Sequence, residues 1–97
     1  MERIDSAGSE RLQARTGMLW QRFGEESVLL DLDRGVYYEL NPVGTRVWQL
    51  LQEPRCPADV QAILASEYEV DAERCATDVA ELMGDLRRCG MVRVCAA

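Results

Sequence analysis

The stretch VLLDLDRGVYYELNP, residues 28–42, decides the fold of this chain. Residues 28–32 are aliphatic and β-branched, which is typical of a central strand. Residues 33–35 fit a three-residue hairpin loop in which Gly35 supplies the positive φ of a bulge. Residues 36–40 form the returning strand, and an Asn-Pro pair starts a helix directly after it. The stretch therefore predicts an antiparallel hairpin whose second strand lies at the edge of a sheet.

The two faces of this second strand have different expected environments. Period-two alternation puts Val36, Tyr38 and Leu40 on one face, which we assign to the core. Tyr37 and Glu39 then share the other face, and Tyr37 is the better candidate for a binding groove. An edge strand offers unpaired backbone N–H and C=O groups, which is how a sheet captures an extended peptide. The pattern favours a peptide-binding module over an enzyme.

Three helices are predicted after the hairpin, and each has a start signal. Asn41 is a good N-cap and Pro42 suits the first helical position. Pro57 opens the second helix, while Asp71 caps the third and Gly90 ends it. The apolar face of the third helix consists of Ala72, Cys75, Ala76, Val79, Leu82, Met83 and Leu86.

The remaining segments complete the predicted fold. Residues 1–16 carry many charges and no sustained period, which predicts a flexible tail before a single domain over residues 17–97. Residues 19–23 are predicted as a strand preceding the hairpin, and residues 91–94 as a short last strand. A three-stranded antiparallel sheet followed by three helices indicates an α+β fold that is winged helix-turn-helix-like.

The charge of the chain argues against nucleic acid and membranes as partners. The 17 acidic and 11 basic residues give a net charge of -6, which disfavours phosphate backbones and anionic lipid surfaces. The third helix presents Asp78, Glu81 and Asp85 where a DNA-reading helix would carry basic or amide side chains. Such a stripe is ordinarily a solvated face, and it would repel a duplex.

Length and composition limit the kind of site to expect. The 97 residues, 47% of them hydrophobic, predict one modest core and one surface groove. The chain begins Met-Glu-Arg-Ile-Asp with no basic leader, and no apolar run approaches the roughly 20 residues of a spanning helix. We therefore expect a cytoplasmic protein.

The sequence predicts neither a catalytic centre nor a metal site. There is no histidine, and none of the four cysteines forms a C-x-x-C pair with another. Cys56, Cys75, Cys89 and Cys95 are expected as reduced thiols. Without a nucleophile beside a base or a glycine-rich phosphate loop, no enzyme activity and no cofactor are expected.

A set of residues within positions 18–94 has an order and spacing that are informative together, although no one motif is. They are Leu30-Asp31, Gly35, Tyr37-Tyr38, Leu40-Asn41, Gly44, Trp48, Leu51, Tyr68, Val70, Asp78-Val79, Leu82, Leu86 and Gly90-Met91-Val92. This pattern resembles the PqqD-like family of peptide-recognition domains, the RiPP recognition elements that serve ribosomally made, modified peptides. One departure is Cys56-Pro57 at the second helix cap, where the family usually has threonine.

The resemblance implies a non-catalytic module that binds the leader segment of a precursor peptide. Family members hold this leader as an extra strand along the strand at residues 36–40, with side chains entering a groove beside the third helix. Leu82, Met83 and Leu86 would offer apolar contacts, although the two leucines can equally serve only to bury the helix. Asp78 and Asp85 would face polar or basic leader groups at the rim of the groove. The implied peptide-binding residues are Leu30, Val36, Tyr37, Tyr38, Glu39, Asp78, Val79, Leu82, Met83, Asp85 and Leu86.

The resemblance leaves the pathway open. The first choice is a lasso peptide system, in which the module delivers the precursor to a separate leader peptidase and then a cyclase. The alternative is the chaperone of pyrroloquinoline quinone biosynthesis, which presents its peptide to a radical enzyme. A winged-helix transcription regulator is the hypothesis from a different class. An unpaired edge strand also predicts a weak homodimer in the absence of peptide.

Overall fold

A computed structural model describes residues 10–69 and 71–95. Strands β2, β3 and β4 form an antiparallel sheet in that order, and β1 pairs with β5 in a separate two-stranded sheet. The α+β class with a three-stranded antiparallel sheet and three helices is confirmed. The elements are β1 (Arg11–Ala14), β2 (Leu19–Phe23), β3 (Glu26–Asp31), β4 (Val36–Leu40), α1 (Pro42–Leu50), α2 (Pro57–Glu67), α3 (Ala72–Arg88) and β5 (Val92–Cys95).

The predicted hairpin is present, with a loop one residue longer than expected. Asp31 pairs with Val36, so the loop spans residues 32–35. Gly35 has a φ of 69° and donates its N–H to the carbonyl of Asp31 at 2.8 Å. A residue with a side chain would be strained at this φ, which is why glycine is required here.

In the part of the chain that the structure describes, the helices cover one face of the β2–β3–β4 sheet. Ser27, Leu29 and Asp31 alternate along β3 and are buried, whereas the residues between them are half-buried. On β4 the same face carries buried Leu40 and half-buried Tyr38. The alternation is that of an antiparallel sheet with one solvated side.

The prediction that Val36 belongs to the core is wrong. Its side chain has the same phase as Tyr38 and Leu40, yet it is 37% exposed. Val36 is the first residue of β4 and lies beside the hairpin loop. Strand phase assigns a side chain to a face of the sheet, but burial also requires the helix layer to reach that position.

The helix starts follow the predicted caps. The Asn41 side chain accepts a hydrogen bond from the N–H of Gly44 at 2.8 Å, and Asp71 accepts one from the N–H of Glu73 at 3.1 Å. At α2 the backbone N–H of Cys56 donates to the Asp59 carboxylate at 3.4 Å. Each cap satisfies backbone N–H groups that have no partner within the helix.

The core lies where the three helices pack on the inner face of the sheet. Leu29, Val47, Leu64 and Leu86 are among its fully buried side chains. A buried hydrogen bond of 2.7 Å between the hydroxyls of Ser27 and Thr45 joins β3 to α1. Among the described residues, no helix has the length and apolar character needed to span a membrane.

The predicted flexible tail is wrong for the part of it that the structure describes. Residues 11–14 form β1, which pairs antiparallel with β5, and Leu12 and Ala14 are buried. The Leu12 N–H donates to the carbonyl of Arg55 at 2.8 Å, and the Ala14 N–H donates to that of Leu51 at 2.7 Å. The rest of the predicted tail, residues 1–9, lies outside the described residues.

Candidate functional site

Strand β4 has one unpaired edge among the described residues, because its only neighbour in the sheet is β3. The backbone C=O of Asp31 accepts a hydrogen bond from the N–H of Gly35, so the backbone polar groups of Asp31 point towards the returning side of the hairpin. Asp31 pairs with Val36, so the backbone polar groups of Val36 point to β3. This direction alternates from one residue to the next along an antiparallel strand. The N–H and C=O groups of Tyr37 and Glu39 therefore point to the unpaired side, which we call the free edge.

A groove runs beside the free edge, between β4, the start of α1 and the middle of α3. Its volume is about 340 Å³, and we call it the β4–α3 groove. It lies where the family resemblance implies a groove between this strand and the third helix. Its lining residues are Tyr38, Glu39, Leu40, Asn41, Val43, Gly44, Asp78, Glu81, Leu82 and Asp85.

A hydrogen bond crosses the groove from strand to helix. The Tyr38 hydroxyl donates to Oδ2 of Asp85 at 3.2 Å, and the Arg88 guanidinium donates to Oδ1 of the same carboxylate. Tyr38 also packs against the core with its ring. Its side chain therefore packs on the core and lines the groove, since an inward side chain on an edge strand also borders the space next to that edge.

Acidic side chains dominate the charge of the groove. Glu39, Asp78, Glu81 and Asp85 line it, and no lysine or arginine within residues 10–69 and 71–95 does. Asp78 forms an exposed ion pair with Arg74 at 3.9 Å, a separation at which the attraction in water is weak. The predicted stripe of Asp78, Glu81 and Asp85 thus comes together on one wall, and its charge favours basic or neutral ligand groups.

Three predicted apolar contacts are not accessible from the groove. Val79, Met83 and Leu86 are buried in the core against the other elements. Leu82, in contrast, is half-buried and lines the groove. The apolar face of α3 is wider than the groove, so most of it serves packing and only its margin is left for a ligand.

Leu30 and Tyr37 lie on the opposite face of the sheet from the groove. Leu30 pairs with Tyr37 across β3 and β4. The neighbouring pair, Leu29 and Tyr38, has its side chains on the inner face of the sheet. The Tyr37 side chain is 63% exposed on this outer face. The preference for Tyr37 as the groove-facing aromatic is therefore wrong for its side chain, although its backbone lies on the free edge.

The first turn of α1 forms one end of the groove, although none of its residues was predicted to bind peptide. Asn41, Val43 and Gly44 line it there. A Cβ on Gly44 would lie 3.1 Å from Cδ2 of Leu40, so glycine permits the close approach of helix and strand. The sequence signal is the absence of a linker, since a helix that starts directly after an edge strand must lie beside it.

The hairpin loop is bound to the end of α3 by Arg34. Its Nε donates to Oδ2 of Asp31 at 2.7 Å, and its Nη2 donates to the carbonyl of Cys89 at 2.5 Å. The guanidinium occupies the space beside Gly90 that a Cβ would fill. The hydrogen bond from Arg34 lowers the pKa of Asp31 below its usual value. These contacts fix β4 relative to α3.

Comparison with known proteins gives one family and two structures. The family model described as Coenzyme PQQ synthesis protein D (PqqD) matches residues 26–92. Among solved structures, TbiB1 in complex with the TbiA(beta) leader peptide is 27% identical with a TM-score of 0.74, covering 88% of this chain and 99% of that chain. Lasso peptide synthetase B1 complexed with the leader peptide is 33% identical with a TM-score of 0.70, covering 84% of this chain and 96% of that chain. No curated protein matches the chain.

Proposed function

The chain belongs to the PqqD family, and we propose that it binds the leader segment of a ribosomally made precursor peptide in a lasso peptide pathway. The observation that carries the proposal is the free edge of β4 beside a groove, in a fold shared with two proteins that were solved with leader peptides. A strand edge next to a groove suits an extended peptide, because the backbone supplies hydrogen bonds and the groove receives side chains.

In this proposal the leader adds a fourth strand to the sheet. Its backbone pairs with the N–H and C=O groups of Tyr37 and Glu39, and its side chains enter the β4–α3 groove. Leu82 and the ring of Tyr38 supply apolar contact there. Each well-buried apolar anchor contributes about 1.5–3 kcal/mol, and this gain adds to that of the strand pairing against the cost of ordering the peptide.

The module itself carries out no chemistry in this proposal. It acts in the cytoplasm and delivers the bound precursor to a separate leader peptidase and then to a cyclase. Support for this division of labour is the match to a lasso peptide synthetase B1, solved in complex with the leader peptide, along 96% of that chain.

A second candidate is the peptide chaperone of pyrroloquinoline quinone biosynthesis, which the description of the family model favours. The two candidates share the same site and differ in the peptide bound. The genes next to this one would separate them, since a cysteine protease and an asparagine-synthetase-like cyclase accompany the first and a radical enzyme the second. A transcription regulator is disfavoured by the acidic residues of α3 that line the groove.

The proposal predicts that Glu39→Pro weakens leader binding in a protein that is still folded. Proline removes an N–H that points to the free edge, and such a position on an edge strand tolerates proline. The measurement is fluorescence anisotropy with a labelled leader peptide from the precursor gene beside this one, with circular dichroism to establish folding. We expect at least a ten-fold loss of affinity.

Two control variants separate the contribution of the Glu39 backbone N–H to leader binding from that of the Glu39 side chain. Glu39→Ala removes the carboxylate but keeps the N–H, so it should bind within a few-fold of wild type. Tyr38→Pro removes an N–H that points to β3, so it should damage the fold itself. Unchanged binding by Glu39→Pro would contradict strand addition at β4. Wild-type protein that binds only a pyrroloquinoline quinone precursor would move the second candidate to first place.

A further inference from the structure

The β2–β3–β4 sheet carries adjacent apolar side chains on the face opposite the helices. Directly paired residues of neighbouring strands have their side chains on the same face. Leu30 pairs with Leu19 of β2 and with Tyr37 of β4, so these three side chains form one row across the sheet. We call this surface the outer face. By the strand register it comprises Leu19, Gln21, Phe23, Glu26, Val28, Leu30, Tyr37 and Glu39.

The large side chains of the outer face are exposed to solvent. Leu19 is 48% exposed and Phe23 is 62% exposed, while Val28 and Leu30 between the flanking strands are half-buried. Because Leu19 and Phe23 stay largely in water, they contribute little to the hydrophobic stabilisation of the fold. Adjacent exposed apolar side chains of this kind often mark a surface that binds another protein.

The outer face is continuous with the free edge of β4. Glu39 pairs with Val28 on the outer face and also lines the β4–α3 groove, so it lies at the border of the two surfaces. Side chains alternate between the two faces of a sheet along every strand. A leader strand on the free edge would therefore place half of its side chains in the groove and would extend the outer face with the others. A protein docked on the outer face would contact the leader as well.

The outer face alone is too small for a stable interface. Its three strands, about 4.8 Å apart and each with about five residues at 3.4 Å, give a projected area of about 240 Å². A standard interface buries about 800 Å² on each partner. A fourth strand from the leader widens the outer face by about a third. We therefore expect a weak contact that becomes stronger when the leader is bound.

The charge of the outer face favours a different protein over a second copy of this chain. Of the eight residues that the register places there, Glu26 and Glu39 are acidic and none is basic. Two copies, each with a net charge of -6, would repel each other when their outer faces approach. The complementary surface is apolar and carries lysine or arginine at its margin.

We propose that the outer face, extended by the bound leader, docks the leader peptidase through an apolar surface with lysine or arginine at its margin. The peptidase is the occupant because a protein on this face contacts the leader, which is its substrate. This inference depends on the proposed function, since the leader forms part of the docking surface. It gives the two sides of the sheet different tasks: the free edge and the groove hold the leader, and the outer face presents it.

Substitution of two residues on β2 tests the proposal, because β2 is the strand farthest from the free edge. The double variant Leu19→Ser with Phe23→Ser should bind the labelled leader as wild type does. With leader bound, it should bind the peptidase encoded beside the precursor gene about ten-fold more weakly in biolayer interferometry. The matched control is Val94→Ser, since Val94 is 41% exposed on β5, and both affinities should stay unchanged. Circular dichroism and thermal unfolding establish that the variants are folded.

The contribution of the leader is tested with a peptide that ends at the last residue of its strand-paired segment, so that the active site of the peptidase has no cleavage site to hold. The peptidase should bind the loaded module several-fold more tightly than the empty module, because the leader adds contacts. Substitution of alternate leader residues by serine should weaken peptidase binding and leave the affinity of the leader for the module within a few-fold. Equal affinity of the peptidase for the empty and the loaded module would overturn the proposal.

The two binding measurements separate failure of this inference from failure of the proposed function. Normal leader binding with unchanged peptidase binding by the double variant would overturn only the docking of the peptidase. If the wild type bound no leader, both proposals would fall. A wild-type dimer that is lost in the double variant would make a second copy the occupant and would overturn the inference. Deletion of residues 1–9 that shifted the methyl resonances of Leu19 and Leu30 would make the chain itself the occupant, which would also overturn it.

Discussion

At the scale of single residues, Arg34 links two distant parts of the chain with one side chain. It binds the buried carboxylate of Asp31 within the hairpin and the carbonyl of Cys89 at the end of α3. The planar guanidinium has separate N–H donors for the two acceptors, which a lysine ammonium at the same position would not match in geometry. The absence of a side chain at Gly90 leaves the room that this arrangement needs.

The ion pair of Asp31 and Arg34 predicts a specific dependence of stability on pH. The pKa of Asp31 is lowered in the folded protein, mainly by the Arg34 hydrogen bond, whereas an unfolded aspartate has a pKa of about 3.9. Its contribution to stability is therefore fully present above about pH 4 and decreases as the pH falls through the folded-state value.

Urea unfolding of wild type and Asp31→Asn at several pH values checks this prediction. The difference between their free energies of unfolding should be constant from about pH 5 to 8 and should shrink at pH 3. A difference that stays the same at pH 3, or that grows there, would contradict it. Asp33→Asn provides a control in the same loop, because the Asp33 side chain is exposed.

At the scale of elements, α1 and α2 are joined by a bidentate ion pair. Arg46 donates from Nε to Oε1 of Glu67 at 2.8 Å and from Nη2 to Oε2 at 2.6 Å. This pairing lowers the pKa of Glu67. Glu67 is the last residue of α2, so this contact joins the end of α2 to α1.

A double-mutant cycle of Arg46→Gln and Glu67→Gln should give a coupling energy of up to about 1 kcal/mol, since the two side chains are 33% and 32% exposed. The coupling should decrease in 1 M salt. The matched control is the ion pair of Arg74 and Asp78, which is longer, at 3.9 Å, and far more exposed, so its coupling should be close to zero. Equal couplings for the two pairs would contradict the assignment.

The elements that the sequence predicted well are those with local signals. The hairpin loop has a glycine at the position where φ is positive, and the first and third helices have side-chain caps. Strand β1 has no such signal, because Arg-Leu-Gln-Ala becomes a strand only through pairing with β5, which is far away in the sequence. Contacts of this kind cannot be read from a local pattern.

The site was predicted in outline but not in its side chains. Alternation gave the correct phase of Tyr37 and Tyr38, but the groove opens on the inner face of the sheet, so the inward residue lines it. Periodicity likewise placed Met83 and Leu82 on the apolar face of α3 without showing that only Leu82 lies at its margin. How far the helices extend over the sheet determines which tyrosine lines the groove and which side chain of α3 stays accessible. That extent depends on tertiary packing and not on the local sequence.

At the scale of the whole molecule, the free edge predicts self-association when no peptide is bound. Two copies can pair through the N–H and C=O groups of Tyr37 and Glu39, although the Glu39 charge weakens this contact. Sedimentation velocity should show a concentration-dependent dimer in wild type that decreases with Glu39→Pro or with added leader. A single monomeric species over a wide range of concentrations would contradict the prediction.

The pairing of β1 with β5 has a consequence for protein engineering and for gene fusion. Arg11 and Cys95 face each other in the register, so the polypeptide enters and leaves the described fold at neighbouring points. A unit with adjacent ends can be placed inside a loop of another protein without stretching either chain. The fold is therefore suited to transplantation as an insert, which would carry its free strand edge into a new host.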